Sequence, residues 1–118
     1  MKNTKKFGIA RILIIPQKNK FEAVCLDFDL IEEAQTLREA KKLIEAAVRG
    51  YVVNICKNGL DDSLLNRPAA KKYWKMFEQY QKFASNRSRS LSSANKRIKN
   101  SVFLSMPIEM FAPSICSL

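Results

Sequence analysis

The feature of this sequence that limits its fold most strongly is an apolar stripe between residues 37 and 55. Leucine, isoleucine, valine, alanine and tyrosine recur there at three- and four-residue steps, which is the spacing of one face of an α-helix. Thr36 precedes the stripe and Glu39 lies in its first turn, a capping box in which each side chain satisfies a backbone amide. The pattern predicts a long helix that begins at Thr36 and needs an apolar surface to cover.

Segments before the helix have the composition of β-strands. Residues 7–16, "FGIARILIIP", are rich in β-branched side chains, and Pro16 ends the run. Residues 21–28, "FEAVCLDF", alternate imperfectly between two faces. The intervening "QKNK" makes a turn, so we expect an antiparallel hairpin. A third short strand is expected over residues 29–35, "DLIEEAQ".

Three further segments follow the turn "KNGLDDSLLNRP". In "AAKKYWKMFEQYQKFA" aromatic and alanine residues repeat at helical spacing, which predicts a second helix. Residues 85–100 are basic and serine-rich and are interpreted as a linker. The alternation that begins at Val102 predicts a strand, which Pro107 confines to a sheet edge or a short pairing.

Together these segments predict one α+β protein, in which a three-stranded antiparallel sheet packs on the Thr36 helix and a second helix and a C-terminal strand are added. A chain of 118 residues is too short for two independent cores. The predicted units are residues 1–66 (the domain), 67–84 (the aromatic helix packed on it), 85–100 (the linker) and 101–118 (the C-terminal strand and tail). Whether the last strand pairs within its chain or swaps between chains stays open.

Charge is divided unevenly along the chain. The net charge is +10; residues 1–66 carry 11 Lys+Arg against 9 Asp+Glu, and residues 67–118 carry 10 against 2. A polyanion would therefore be attracted first to the second half.

Histidine is absent, which removes the usual general base and the usual partner of cysteine in zinc sites. We therefore expect no catalytic residue, no metal and no other cofactor. No apolar run is long enough to cross a bilayer, and the N-terminal residues match an export signal poorly. The odd set Cys25, Cys56 and Cys116 is accordingly interpreted as reduced thiols in a cytoplasmic protein.

An acidic bend joins the hairpin to the helix, with Asp27, Asp29, Glu32 and Glu33 inside seven residues. Clustered carboxylates hold the metal ions of RNase H-like nucleases, but such a site needs additional well-spaced acids, so we do not expect an enzyme. Two interpretations remain open. The bend is either an ordinary solvated turn or a negative surface that binds a basic partner and speeds its association.

The order of hairpin, acidic bend and capped helix resembles the HicB family of antitoxins. The resemblance spans residues 7–58 and is carried by "CLDFDLIEEAQTLREAKKLIEAAVRGY", with Cys25-Leu26-Asp27 at the end of the second strand and Thr36 as the cap. Residues 64–74, "LLNRPAAKKYW", also look like the segment that follows this domain in some HicB-like proteins. The resemblance implies a partial RNase H-like fold of three strands and a helix.

The family also implies a role. A HicB-like antitoxin of a type II toxin-antitoxin pair binds and neutralises a HicA-like ribonuclease, a basic protein, by occlusion, and we expect a cytoplasmic homodimer. The four acids of the bend would be its partner-binding residues. Ala34 and Gln35 stand where the family commonly has a glycine and an acid. Residues 85–118 show no complete helix-turn-helix or ribbon-helix-helix, so operon repression by that route is not expected.

A nucleic-acid-binding regulator is the alternative, with the domain as a dimerisation scaffold. The cations of the linker would contact phosphates without reading sequence; they are Arg87, Arg89, Lys96, Arg97 and Lys99. The aromatic stripe of the second helix could stack single-stranded bases, although its helical spacing favours a buried face.

Overall fold

Four antiparallel strands form one sheet in the computed structural model, and helices pack on its two faces. The structure describes residues 2–85 and 101–110. The elements are β1 Ile9–Pro16, β2 Phe21–Cys25, β3 Leu30–Ala34, α1 Leu37–Lys57, α2 Lys71–Ser85 and β4 Val102–Pro107, with short 3₁₀ turns at Asp62–Leu65 and Ile108–Met110. The strand order is β3-β2-β1-β4. The predicted α+β class, with the sheet packed on the Thr36 helix, is confirmed.

The first helix begins as the sequence predicts. The Thr36 hydroxyl accepts a hydrogen bond from the Glu39 backbone amide at 3.1 Å, and the helix continues through Gly50 to Lys57. Its buried side chains recur every three or four residues; they are Ala40, Ile44, Val48, Val52 and Ile55. This face packs against inward-facing residues of β1 and β2, among them Ile12 and Ala23. Removing that apolar surface from water is the main stabilising contribution on this side of the sheet.

The second helix lies against the opposite face of the sheet. Tyr73 and Phe77 of α2 are buried and form one cluster with Leu13, Val24 and Leu26. Successive residues of a strand point to opposite faces, so β1 supplies Ile12 to one core and Leu13 to the other. This explains why the apolar run of β1 is continuous rather than alternating. It also confirms the buried interpretation of the aromatic stripe for Tyr73 and Phe77.

The C-terminal strand pairs within its own chain. β4 runs antiparallel to β1, with Ile12 opposite Leu104, and the pairing is extended where Ile108 N donates to Gly8 O at 3.0 Å. β4 is an outer strand, as the presence of Pro107 predicts.

A pair of asparagines holds the segment before β1, and no local pattern in the sequence predicts the pair. Asn3 is 4 % exposed; its backbone amide donates to Asn66 Oδ1 at 2.8 Å, and Asn66 Nδ2 donates to Asn3 O at 2.9 Å. The Asn3 side-chain amide donates to the carbonyl oxygens of Ile9 and Leu65, both at 3.0 Å. The segment before β1 is thereby tied to the turn that precedes α2.

Two predictions are changed by the structure. The second strand ends at Cys25, because residues 26–29 turn the chain towards β3. Cys25 is a free, buried thiol, and burial raises its pKa to about 12. Cys56, however, is disulfide-bonded, so the prediction of reduced thiols is wrong for Cys56. Residues 86–100, which include most of the predicted linker, and the tail after Met110 lie outside the described residues.

Candidate functional site

Asp27, the first acid of the bend, is buried in an ion pair and not presented to a partner. Its residue exposure is 8 %. One carboxylate oxygen accepts from Arg11 N at 2.8 Å and from Arg11 Nε at 3.1 Å, and the other accepts from Arg11 Nη2 at 2.7 Å. The prediction that Asp27 belongs to a surface cluster with the other three acids is therefore not met. A carboxylate at this depth needs a cation, and Arg11 provides it.

Arg11 connects this ion pair to the second helix. Its guanidinium carbon lies 4.8 Å from the ring centroid of Trp74, a cation–π geometry. The side-chain hydrogen bond with Asp27 raises the pKa of the Arg11 guanidinium. Three side chains thus connect these elements: Asp27 from the β2–β3 turn, Arg11 from β1 and Trp74 from α2. The periodicity of the sequence could not reveal this link, because Arg11 meets Asp27 only through the pairing of β1 with β2.

A small open cavity of about 190 Å³ lies beside this link, lined by Arg11, Asp27, Asn66, Pro68 and Trp74. Trp74 Nε1 is buried, and within the described part of the chain it has no hydrogen-bond partner. The indole ring packs edge-on to Phe77, with centroids 6.1 Å apart. The cavity therefore contains a matched ion pair and an indole rather than a set of convergent catalytic groups.

The other three predicted acids lie along β3 and the turn before it. Asp29 is exposed in the turn and has a φ of 57°, a conformation that aspartate tolerates better than most residues. Leu30 and Ala34 pack against the α1-side core. Glu32 lies two residues from each of them along the strand and therefore shares their face, the α1 face. Glu33 lies on the opposite face. The three carboxylates therefore follow one edge of the sheet on both of its sides.

Charges around Glu33 form a small network at this edge. Glu33 and Lys20 make an ion pair, each about half exposed, and a side-chain hydrogen bond with Glu33 raises the pKa of Lys20. Glu22 stands directly opposite Glu33 in the pairing of β2 with β3. Like charges directly opposite each other repel, and Lys20 offsets only part of that repulsion. Glu22 thus adds to the negative potential beside β3, a position that depends on the pairing of β2 with β3.

An exposed apolar side chain lies among these charges. Ile31 is 44 % exposed and faces the same side of the sheet as Glu33, because both alternate with Glu32. α2 covers β1 and β2 through Leu13, Val24 and Leu26 but leaves Ile31 open. We call the surface formed by Asp29, Ile31, Glu32 and Glu33 the β3 edge. Because β3 is an outer strand among the described residues, its edge presents backbone groups with which another chain can pair.

The predicted nucleic-acid contacts cannot be placed. Arg87, Arg89, Lys96, Arg97 and Lys99 lie outside the described residues. Within the described part of the chain both helices carry exposed cations; these are Arg38, Lys41, Lys42 and Arg49 on α1, and Lys71, Lys72, Lys75 and Lys82 on α2. They lie on the two faces of the sheet, whereas Asp29, Glu32 and Glu33 follow its β3 edge.

Metal ligands do not cluster at the bend. Among residues 2–85 and 101–110, no three acidic or cysteine side chains come together as a metal site would require, and the carboxylate of Asp27 is used by Arg11. Comparison of the chain with models of protein families, with curated proteins and with solved structures gave no match.

Proposed function

We propose that the chain is a HicB-like antitoxin that binds a HicA-like ribonuclease and occludes it by protein–protein contact, without catalysis of its own. The observation that carries the proposal is the β3 edge, where Asp29, Glu32 and Glu33 accompany an exposed Ile31 in a chain of net charge +10. The succession of three strands and a capped helix supports it, since the HicB-like pattern has this order.

The physical role of the edge is to direct and orient the partner. A basic protein is attracted to the acidic edge and repelled by the cationic helices on either side, so encounters are concentrated at one place on the surface. Asp27 has a different part in this proposal from the one predicted, since it holds the turn that positions Asp29. The proposal includes assembly of the chain as a homodimer, which light scattering of the purified protein tests.

Co-expression with the product of the adjacent reading frame tests the proposal. We expect a small basic protein that co-purifies with this chain. The paired reversal Glu32→Lys and Glu33→Lys should slow association by at least about tenfold at low salt, and the difference should shrink as salt screens the charges.

A matched control is available in Glu78 and Glu109, which are exposed and lie on α2 and after β4. Reversing both to lysine changes the net charge by the same amount but leaves the β3 edge intact, so the association rate should stay close to that of the wild type. Equal slowing by the two double variants, or the absence of any co-purifying basic protein, would contradict the antitoxin proposal.

Nucleic-acid binding is the second candidate, and the exposed cations of α1 and α2 favour it. In that case the chain retains duplex or single-stranded nucleic acid at low salt, and the affinity falls steeply as salt rises because counterions are released. Deletion of residues 85–100 should weaken retention if the basic segment contributes. Retention that is unchanged by this deletion would restrict the contacts to the helices.

A cytoplasmic location belongs to the antitoxin proposal. No helix in the described part of the chain is long and apolar enough to span a bilayer. The disulfide at Cys56 is unusual for a cytosolic protein. Alkylation of thiols in intact cells before lysis tests the location, because a cytosolic protein should be labelled at Cys56 whereas an exported one should not.

A further inference from the structure

Within residues 2–85 and 101–110, the backbone groups at the outer edge of β3 have no partner strand, and their positions follow from the hydrogen bonds on the other side of β2. Leu26 N donates to Arg11 O at 2.8 Å, and Gln17 N donates to Lys20 O at 2.7 Å. In an antiparallel pair, hydrogen-bonded residues alternate with non-bonded ones. The even-numbered residues of β2 therefore bond to β1, and the odd-numbered residues bond to β3.

This alternation determines which peptide groups of β3 are free. Ala23 stands opposite Glu32 and Cys25 opposite Leu30, so the even-numbered residues of β3 use their amides and carbonyls in the ladder with β2. The peptide groups of Ile31 and Glu33 point the other way. Among the residues that the structure describes, no strand lies beyond them.

The opposite edge of the sheet is blocked to strand addition at one position, Pro107. Ile108 N donates to Gly8 O, and Ala10 pairs with Met106, so the even-numbered residues of β4 bond to β1. Pro107, at an odd-numbered position, faces outward and has no N–H to donate. Proline is a common device for blocking an outer strand. β3 contains no proline, and its outward amides remain able to pair.

The acidic side chains of β3 determine which kind of strand can pair with its outer edge. A second copy of β3, paired antiparallel about a twofold axis, would place carboxylates of Glu32 or Glu33 near their own counterparts, and like charges across a strand pair are destabilising. In a strand that alternates basic and apolar residues, the basic side chains on the α1 face would meet Glu32 with opposite charge, and the apolar side chains on the other face would cover Ile31. The edge therefore disfavours self-pairing and favours an extended basic segment.

We propose that the β3 edge binds an extended, lysine- or arginine-rich segment of the partner protein as a fifth strand of the sheet. This inference rests on the proposed function for the identity of the partner and adds the way in which the partner is recognised. Main-chain hydrogen bonds to Ile31 and Glu33 supply the affinity, and the acidic side chains supply the selectivity. The sheet order becomes partner-β3-β2-β1-β4.

The test uses a short synthetic peptide in which lysine alternates with valine, and a second peptide in which glutamate replaces lysine. Amide hydrogen exchange is followed residue by residue in the full-length chain. The lysine peptide should slow exchange at Ile31 and Glu33 by at least about tenfold at saturation and leave Glu32, already bonded to β2, unchanged. The glutamate peptide should protect neither residue.

Two substitutions at one position separate the backbone contribution from the charge. Glu33→Ala removes the carboxylate but keeps the amide, whereas Glu33→Pro removes both, without breaking a bond to β2. The proline variant should bind the lysine peptide at least about tenfold more weakly than the alanine variant. Equal affinities, or protection by the peptide at amides away from β3, would overturn the strand-addition proposal.

The same variants distinguish this inference from the antitoxin proposal. If the co-expressed basic protein binds the proline and alanine variants equally but the double charge reversal weakly, the acidic surface is correct and strand addition is wrong. If the basic protein does not bind at all while the lysine peptide protects Ile31, strand addition holds and the antitoxin assignment fails. If the proline variant does not fold, the hydrogen-exchange experiment on the wild type still tests strand addition.

Discussion

Replacement of Asp27 by alanine should destabilise the fold although Asp27 lies outside the β3 edge. The carboxylate accepts three hydrogen bonds from Arg11, at 2.8, 3.1 and 2.7 Å. Alanine would leave the Arg11 backbone amide without its acceptor and the guanidinium without its counter-charge. It would also release the guanidinium from the position in which it stacks on Trp74.

The size of the effect follows from burial on the two sides of the pair. Removing one partner of a fully buried ion pair costs about 3–5 kcal/mol. The side chain of Asp27 is 9 % exposed but that of Arg11 is 35 % exposed, so water can solvate the released guanidinium and recover part of this cost. We expect a loss of about 2–4 kcal/mol, which for a chain of this length lowers Tm by roughly 10 °C.

Urea and thermal unfolding followed by circular dichroism measure the loss. Asp27→Asn keeps an acceptor for the Arg11 amide but removes the charge, so its effect should be intermediate. Asp29→Asn is the matched control, because Asp29 is exposed and asparagine also tolerates a positive φ; it should change the unfolding free energy by less than about 0.5 kcal/mol. If Asp27→Ala and Asp29→Asn are equally stable, the ion pair does not stabilise the fold as argued.

Three further predictions concern an exposed position of α1, the side chain of Asn3 and a buried thiol. Gly50→Ala should raise the unfolding free energy by about 1 kcal/mol, since Gly50 lies inside α1 and an added Cβ would meet no described atom within 4 Å; a loss of stability in urea would reveal a contact at this position. Asn3→Ala should cost about 2–3 kcal/mol, because it leaves Ile9 N and the carbonyl of Leu65 without partners, and chemical unfolding that matches the wild type would refute this. Burial raises the pKa of Cys25 from 9.0 to about 12; its contribution to stability is therefore complete below pH 9 and is lost as the pH rises towards 12. Cys25→Ala should flatten this part of the pH–stability curve, and parallel curves for the two proteins would show that the thiol does not titrate as argued.

Local sequence patterns predicted the individual elements well. The cap at Thr36, the stripe from residue 37 to 55 and the β-branched run before Pro16 each act over a few residues, so propensity and periodicity are sufficient to recognise them. The alternation that begins at Val102 likewise predicted β4, and Pro107 predicted its position at an edge. The end of β2 was placed too late, because Leu26 and Phe28 continue the apolar pattern of the strand into the turn.

The candidate site was predicted in part, and the division among its four acids shows why. The sequence alone does not show on which face of the sheet a charged residue lies or which residues surround it, because both depend on the register of the strands. Asp29, Glu32 and Glu33 stay on the surface, whereas Asp27 meets Arg11, which is 16 positions away in the chain. Ile31 joins the edge because α2 covers the middle of the sheet and stops short of β3, and Glu22 lies beside the edge on β2.

The sequence by itself determined that a capped amphipathic helix, a set of short strands and an aromatic helix would form, since each depends on interactions between residues close along the chain. The tertiary structure alone decided that α1 and α2 lie on opposite faces, that β4 pairs with β1, and that β3 is left with an open, acidic edge. These outcomes depend on contacts between distant segments, as in the pairing of Asn3 with Asn66, 63 residues apart. Such contacts leave no periodic signal, because their energy depends on geometry that exists only once the sheet has assembled.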